Sequence, residues 1–480
     1  MLAFSDCPLL ILESREQIAS AKDRNATNEW YSDQTLTAGR SAPARLSPAI
    51  RLLCVRNIPA HQGADLVGSV IATEQAMSSQ TKQAASPVQP SVFILAFMAS
   101  LGPFGDTEYT PSLPRIADAL GVSYAHAQLT MTVYLAGFAF GQILYGPLSD
   151  RFGRRSMIMI AIVTFLIGSV ACALSTDLNM LIAGRFVQAL GASAGGTISN
   201  AAIRDAFPPE ARTRIFLRVN AIFALAPGVG PIAGSLVDHY YGWEENFWLL
   251  ALLAVLLLIA LFFAFPETNR HPNLKAIQPG EFFKNYLSLL SHPEYVFVVI
   301  IVGLAMGVVY GSLIEAPRLV MIELGYPSKM FAVVAACIVG GFVAGSIICG
   351  WLERHIADAK LLGVGLVIVL AGSLALGWLE YAGLVTLATT LGAISTIYVG
   401  LAFVIPVGTS LAVEPFERIA GSASALLGCI SMALASGGTL FVGLLPHNAV
   451  QAMFIAFTVL SVLGLLLTAI VNLAWGSRLK

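Results

Sequence analysis

The chain has 480 residues, of which 56% are hydrophobic and only 11% charged, and its formal net charge is −1. Its mean hydropathy is +0.76. A soluble protein of this length needs far more charged surface, so the composition excludes that class and predicts a polytopic membrane protein.

The amino-terminal segment differs from the rest of the chain. Residues 1–90 are mixed polar and show no sustained apolar period. The opening stretch MLAFSDCPLLIL is too short and too acidic for a signal peptide with a basic leader. Residues 77–90, MSSQTKQAASPVQP, have the composition of a short cytoplasmic leader. We expect residues 1–76 to be a disordered tail or an over-extended start, and we assign them no function.

Apolar windows of about twenty residues recur from residue 91 onward, as membrane-spanning helices require. A polar stretch, 267–294, follows the sixth window and separates two halves, 91–266 and 295–480. The windows are too long and too continuous for barrel strands, so the predicted fold is all-α, with twelve transmembrane helices in two six-helix halves. The predicted spans are 91–113, 126–148, 156–175, 179–203, 215–237, 246–266, 295–318, 330–352, 360–379, 384–412, 421–444 and 449–474.

Lysine and arginine are distributed unequally between the two sides of the predicted membrane. The loops after even-numbered spans and the carboxyl terminus hold most of them, whereas the other side holds only Arg115, Arg318 and Lys329. By the positive-inside rule, both termini and the linker loop 267–294 are cytoplasmic.

The first span contains two acidic residues within LGPFGDTEYTPSLP, residues 101–114. At about 1.5 Å per residue, Asp106 lies roughly 22 Å into a core about 30 Å thick, and Glu108 lies slightly higher. A lone charge at this depth costs about 2.5–3.5 kcal/mol on insertion scales, so a cavity or a partner is expected. At about 100° per residue the two acids point roughly 200° apart, which predicts that Thr107, between them, lies on the central face and is a candidate for the substrate cavity. The prolines of this segment predict an irregular outer end, which could instead rotate either acid inward.

The fourth span carries Arg185 at a similar depth, where an acid of the first span could meet it. One hypothesis is that Asp106 or Glu108 carries a coupling proton, with Asp106 favoured because it is deeper, and that Arg185 takes part in coupling or lines the substrate path. The alternative is that the acids are hydrated or paired near the outer interface and that Arg185 is a structural partner. The sequence leaves both open.

The loop GPLSDRFGRRSMI, residues 146–158, follows the second span. Its glycines suit a tight turn and close contact with a neighbouring helix. Its arginines anchor the loop at the cytoplasmic face, and its aspartate can accept their hydrogen bonds or cap a helix. A loop that only sets topology explains the arginines but not the regular spacing of the other residues. The motif residues are Gly146, Asp150, Arg151, Gly153, Arg154 and Arg155.

The fifth span contains GVGPIAG, in which Pro231 removes a backbone N–H and bends the helix. Gly228, Gly230 and Gly234 leave room for a partner backbone, so we expect a kinked and closely packed helix. Aromatic residues are the candidates for an apolar substrate wall, although each could equally face lipid or the core. They are Tyr134, Phe138, Tyr310 and Tyr398.

Several of these motifs together resemble the major facilitator superfamily. GPLSDRFGRR is similar to its loop between the second and third helices, and LIAGRFVQALGASAG (181–195) to its fourth-helix pattern. Residues 225–268, which begin LAPGVGPIAG, are similar to the fifth-helix antiporter pattern and the sixth span of its drug/proton antiporters. EYTPSLP and FERIAGSASALLG (416–428) are closest to the bicyclomycin and chloramphenicol resistance (Bcr/CflA-type) exporters. The resemblance covers about residues 90–475.

The resemblance implies a transporter rather than an enzyme, with a cavity between the halves near the midplane. It implies proton-coupled export of small, mostly hydrophobic molecules across a bacterial cytoplasmic membrane, and a fifth helix that seals the substrate path against leakage. We expect a monomer in the lipid bilayer, without nucleic-acid partner, metal or cofactor other than the coupling proton. The six scattered cysteines have no ligand spacing, and the sequence contains no GxxxxGK[ST] phosphate-binding motif.

The first span departs from the family pattern. Those exporters usually carry Asp-Met-Tyr-Leu-Pro there, which places Thr107 at their acidic position, with Asp106 and Glu108 on either side. Two other functions stay open: a proton-coupled transporter of one metabolite, such as a sugar, nucleoside or amino acid, and a transport-inactive membrane sensor or scaffold.

Overall fold

A computed structural model describes residues 89–269, 286–445 and 448–475 of the chain. The predictions for the amino-terminal tail and for most of the linker loop lie outside these residues. Within them, every regular element is a helix.

Fourteen described α-helices build the membrane domain. In chain order they are α1 (Val92–Thr107), α2 (Leu113–Ala119), α3 (Tyr124–Phe152), α4 (Arg154–Ala173), α5 (Leu178–Ala192), α6 (Ala194–Ala206), α7 (Pro209–Tyr240), α8 (Glu244–Ala264), α9 (Pro293–Pro317), α10 (Phe331–Leu352), α11 (Asp358–Tyr381), α12 (Leu387–Val413), α13 (Ala420–Gly443) and α14 (Ala449–Trp475).

Ten helices of the described chain are long and apolar enough to cross a membrane uninterrupted. The first and fourth predicted spans are each divided in two, α1 with α2 and α5 with α6, which brings the number of spans to twelve. The first span breaks because Pro111 and Pro114 lack the N–H groups that a continuous helix needs, and a short 3-10 turn, Thr110–Ser112, joins its parts. The predicted all-α fold of twelve spans is confirmed.

Helix packing divides the spans into two groups of six. In the first half α1 packs on α7, and α4 packs on α5 and α8. In the second half α9 packs on α12, α13 and α14, and α11 packs on α12 and α14. The halves meet along two seams, where α3 packs on α13 and α7 contacts α10.

The cleft between the halves is closed at one membrane face. We call the side that carries the turn between α3 and α4 the basic face, and the other side the opposite face. At the opposite face, the Gln128 amide donates a 2.7 Å hydrogen bond to Glu315 across the halves. The hydroxyls of Thr132 and Thr439 lie 2.9 Å apart on the α3–α13 seam. These polar contacts hold the two halves together there.

Toward the basic face, both halves expose part of a helix. Four consecutive α7 residues, 220–223, are exposed, as are three consecutive α10 residues, 346–348. Consecutive helical residues point about 100° apart, so such runs expose more than a single lipid-facing stripe. The α6 and α13 helices nevertheless stay in contact at this face, because a Cβ added to Gly421 would lie 2.9 Å from Nη1 of Arg204.

Candidate functional site

Asp106 lies in the last turn of α1, where the first span breaks, and is only 3% exposed. Its Oδ2 accepts a 2.8 Å hydrogen bond from the hydroxyl of Tyr310 on α9, in the other half. Its Oδ1 is buried without a hydrogen-bond partner. The carboxyl group is therefore half satisfied, and its one hydrogen bond joins the two halves.

Arg185 lies on α5 and is fully buried. Its guanidinium carbon is 3.9 Å from the ring centroid of Tyr109 and 4.0 Å from that of Tyr134, so the cation is held between two aromatic faces. Its Nη1 donates to the Gly105 carbonyl at 3.1 Å and to Gln188 at 2.6 Å. Arg185 therefore contacts the first span, as predicted, but through the backbone carbonyl beside Asp106 and not through a carboxylate. Its Nε and Nη2 have no hydrogen-bond partner.

Thr107 packs within the first half. The Thr107 hydroxyl donates to the Pro103 carbonyl at 2.9 Å, and a Cβ added to Gly230 of α7 would lie 2.4 Å from it. The prediction that Thr107 lies on the central face is therefore wrong: it packs against α7, and Asp106 faces the cleft. Glu108 is fully buried, and neither of its carboxylate oxygens has a hydrogen-bond partner.

The four aromatic candidates are divided between the halves. Tyr134 donates a 3.2 Å hydrogen bond to the Gly102 carbonyl, and Phe138 stacks on it with ring centroids 6.3 Å apart. Tyr310 bonds Asp106, whereas the Tyr398 hydroxyl lies 2.7 Å from that of Ser312, within the second half. The structure thus brings Tyr134 and Tyr310 to the centre with Asp106 and leaves Tyr398 outside this group.

The basic turn after α3 is organised by residues distant in sequence. Gly153 has a φ of 92°, a conformation that side-chain-bearing residues rarely adopt. The Glu267 carboxylate accepts the N–H groups of Arg154 and Arg155 at 2.9 and 3.1 Å, and so caps the start of α4. Helix capping was a possible role for Asp150, whose carboxylate instead pairs with Arg154 at 2.5 Å.

The arginines of this motif make further contacts. Arg154 also pairs with Asp205 at the end of α6 at 3.0 Å, and Arg155 donates to the Phe262 carbonyl at 2.7 Å. Arg151 lies 5.3 Å from the ring of Phe152. The close helix contact expected at Gly146 is not present, because the only atom near an added Cβ would be 4.0 Å away.

The glycines of the fifth span do permit close packing. A Cβ at Gly234 would lie 1.7 Å from the Glu108 carbonyl oxygen, and one at Gly230 would lie 3.1 Å from the Phe104 carbonyl. Gly228 instead faces the second half, where its Cβ would lie 2.4 Å from a methyl group of Val339 on α10. Pro231 lies inside α7, which continues through it.

Some residues of the site were not predicted from the sequence. Gln188 links Arg185 to Ser169 through a 2.8 Å hydrogen bond, and Gln128 bonds Glu315 across the halves. Both are amide side chains inside apolar windows, which is the sequence signal that could have identified them. Tyr109 and Glu267 carry no such signal.

A twelve-span helical protein with a cleft between two halves and a buried polar cluster at its centre belongs to the class of multi-span membrane transporters. The sequence model described as Major Facilitator Superfamily matches residues 92–439. The chain belongs to this superfamily.

Its relatives include named resistance proteins. The chloramphenicol resistance protein of Pseudomonas aeruginosa is 29% identical over 419 residues, which are 84% of this chain and 94% of that protein. The bicyclomycin resistance protein homolog of Haemophilus influenzae is 28% identical over 394 residues, 78% of this chain and 96% of that protein. The predicted resemblance to these exporters is confirmed.

A crystal structure of the peptide transporter POT has the same fold. It aligns with a TM-score of 0.67 at 16% identity and covers 83% of this chain and 99% of that one. At this identity the likeness concerns the fold alone.

Proposed function

We propose that this protein exports small, mostly hydrophobic molecules, antibiotics among them, by alternating access coupled to inward proton flow. The basic face is then cytoplasmic and the protein lies in a bacterial inner membrane with both termini in the cytoplasm, which the distribution of lysine and arginine supports.

The observation that carries this proposal is the position of Asp106. It lies at the break of the first span, buried, and hydrogen-bonded to Tyr310 of the other half. An ionisable group inside a membrane protein is expensive and is retained chiefly on ion or substrate pathways. When the halves separate at the opposite face, the Tyr310 bond breaks and Asp106 meets water, so the same carboxyl group can exchange its proton with each side in turn.

Arg185 supports the proposal as a fixed positive charge beside the first span. Its stacking on Tyr109 and Tyr134 keeps the guanidinium in place without a carboxylate partner. Two of its nitrogens are free of hydrogen bonds, so it can bias the proton affinity of Asp106 and Glu108 as the surroundings change. We assign these three residues to proton coupling.

The driving force is sufficient for export. One elementary charge crossing 100 mV releases about 2.3 kcal/mol. This free energy supports roughly a fifty-fold concentration ratio of a neutral substrate, because about 1.4 kcal/mol corresponds to a factor of ten. The printed names of the relatives suggest chloramphenicol and bicyclomycin as first substrates to test.

The experiment is a drug-susceptibility profile of bacterial cells with and without the protein. Cells that produce it should tolerate higher concentrations of at least one hydrophobic antibiotic, and Asp106→Asn should abolish this tolerance at equal amounts of protein in the membrane. Glu108→Gln tests the second acid in the same assay. Full tolerance with both variants would rule out both acids as coupling groups, and unchanged susceptibility to all drugs would favour transport of one metabolite.

A further inference from the structure

A second buried polar cluster lies nearer the opposite face than Asp106. We call it the Glu108 cluster: it comprises Glu108, Ser112, Asp238, Asn246 and Ser328. These side chains come from the first, fifth and sixth spans of the first half and from the start of the eighth span in the second half. All five are buried, with exposures of 0–2%.

Backbone contacts fix the geometry of the Glu108 cluster. Gly234 of α7 approaches the Glu108 carbonyl so closely that a Cβ would lie 1.7 Å from it. Asp238 lies one helical turn beyond Gly234 on the same face of α7, and Ser112 lies in the 3-10 turn that follows Glu108. The Asn246 amide bridges the first span and α7. It donates to the Ser112 hydroxyl at 2.8 Å and to the Gly234 carbonyl at 3.4 Å.

The Glu108 cluster contains an unusual number of unsatisfied oxygens. Both carboxylate oxygens of Glu108, both of Asp238, Oδ1 of Asn246 and the Ser328 hydroxyl are buried without a hydrogen-bond partner. Buried polar groups are nearly always bonded, and an unpaired one is costly. The hydroxyls of Ser112 and Ser328 can donate to Asp238, whereas Glu108 is left with two acceptor oxygens that require a bound donor or cation.

Charged groups on several elements surround the two acids. Asp238 pairs at 3.5 Å with Arg115, which is 42% exposed, and His239 is also near it. Arg185 and Asp238 are the charged groups that act on Glu108. Neither guanidinium donates a hydrogen bond to Glu108, whose two oxygens are buried without a partner, so one bound proton offsets the cost of burying this carboxylate.

We propose that Glu108 and Asp238 together form a second proton-binding site, distinct from Asp106, that takes up one proton from the opposite face. Arg115 is the solvent-exposed end of the site and Ser328, from the other half, covers it when that face closes. Separation of the halves withdraws Ser328 and opens the pair to water. The role in transport rests on the proposed proton coupling, whereas the binding of the proton does not.

Infrared spectroscopy of the full-length protein in lipid vesicles tests this without any substrate. The carbonyl band of protonated carboxyl groups is recorded across a pH series for the parent protein, Glu108→Gln, Asp238→Asn and the double variant. Each carboxylate favours protonation of the other, so each single variant should move the midpoint down by about one pH unit or more. The double variant should lose the part of this band that titrates with the Glu108–Asp238 midpoint. Asp118→Asn, an exposed acid near the same face, is the control and should change nothing.

The outcomes separate this site from the coupling proposal. Asp106→Asn should remove a different part of the band and leave the Glu108–Asp238 midpoint in place, even if that variant still transports. Unmoved midpoints in both single variants, or an intact band in the double variant, would overturn the proposal. Suppression of the band by sodium chloride but not by choline chloride at constant pH would overturn the proposal, because it would show that the site binds a sodium ion instead of a proton. Size-exclusion profiles show whether each variant is folded. If one single variant does not fold, the midpoint shift of the other single variant is enough to test the proposal.

Discussion

The hydrogen bond between Tyr310 and Asp106 is expected to stabilise the state closed at the opposite face, and Tyr310→Phe removes it while keeping the ring. The two residues lie on different halves, 2.8 Å apart, with Tyr310 itself 7% exposed. In the variant, Asp106 has two buried oxygens without partners in place of one. Both effects act only in the closed arrangement, because separation of the halves hydrates the carboxyl group.

The expected magnitude follows from the hydrogen bond that is lost. Such a bond contributes about 0.5–1.5 kcal/mol when Asp106 is protonated and about 1.5–3 kcal/mol when it is ionised. Because about 1.4 kcal/mol is a factor of ten in an equilibrium constant, the population open at the opposite face should rise about 2–100-fold relative to the closed one, and more at higher pH.

Distances between two nitroxide labels at the opposite face measure this population. Thr176, between α4 and α5, and Ala382, between α11 and α12, are exposed and lie on different halves. Labels at these positions, in a background without native cysteines, should show a new population at longer distance in Tyr310→Phe. Tyr398→Phe is the matched control, since that hydroxyl bonds Ser312 within one half and should leave the distances unchanged.

Identical distance distributions for Tyr310→Phe and the parent protein would refute the reasoning. So would an equal shift in Tyr398→Phe, because the effect would then come from loss of any buried tyrosine hydroxyl.

Three further substitutions test the packing of the site. Gly234→Ala should destabilise the protein by about 1–3 kcal/mol in a thermal-unfolding assay, because the added Cβ meets the backbone of the first span. Gly196→Ala is the control and should not destabilise it, since nothing lies within 4 Å of the added Cβ; equal melting temperatures of the two variants would contradict the close approach. Glu267→Ala should lower stability by about 1 kcal/mol, because two N–H groups at the start of α4 lose their acceptor, and an unchanged melting temperature would refute its capping role. Arg185→Lys should abolish transport despite the retained charge, since a lysine cannot stack between two rings and reach the same acceptors, so full activity would show that charge alone suffices.

The spans were predictable because a bilayer imposes one length and one polarity on every helix. The predicted sixth span, 246–266, compares with α8 at Glu244–Ala264, and the predicted ninth, 360–379, with α11 at Asp358–Tyr381. The tight turn at Gly153 was predictable for a similar reason, because its left-handed backbone favours the one residue without a side chain.

The partners of the site were not predictable, because they are far apart in sequence. Tyr310 lies 204 positions from Asp106, and Glu267 lies 113 positions from Arg154. Helix periodicity gives the angle between neighbouring side chains but not which of them faces the cleft. Thr107 was therefore placed on the wrong face: Gly230 provides space for it on α7, which no pattern within the first span could indicate.

The most direct measurement of the central claim is proton movement in vesicles that contain the purified protein and an internal pH-sensitive dye. Adding an exported drug on the side of the basic face should drive protons the other way in the parent protein, with no drug-dependent signal in Asp106→Asn. A drug-dependent proton flux of equal size in that variant would contradict the account.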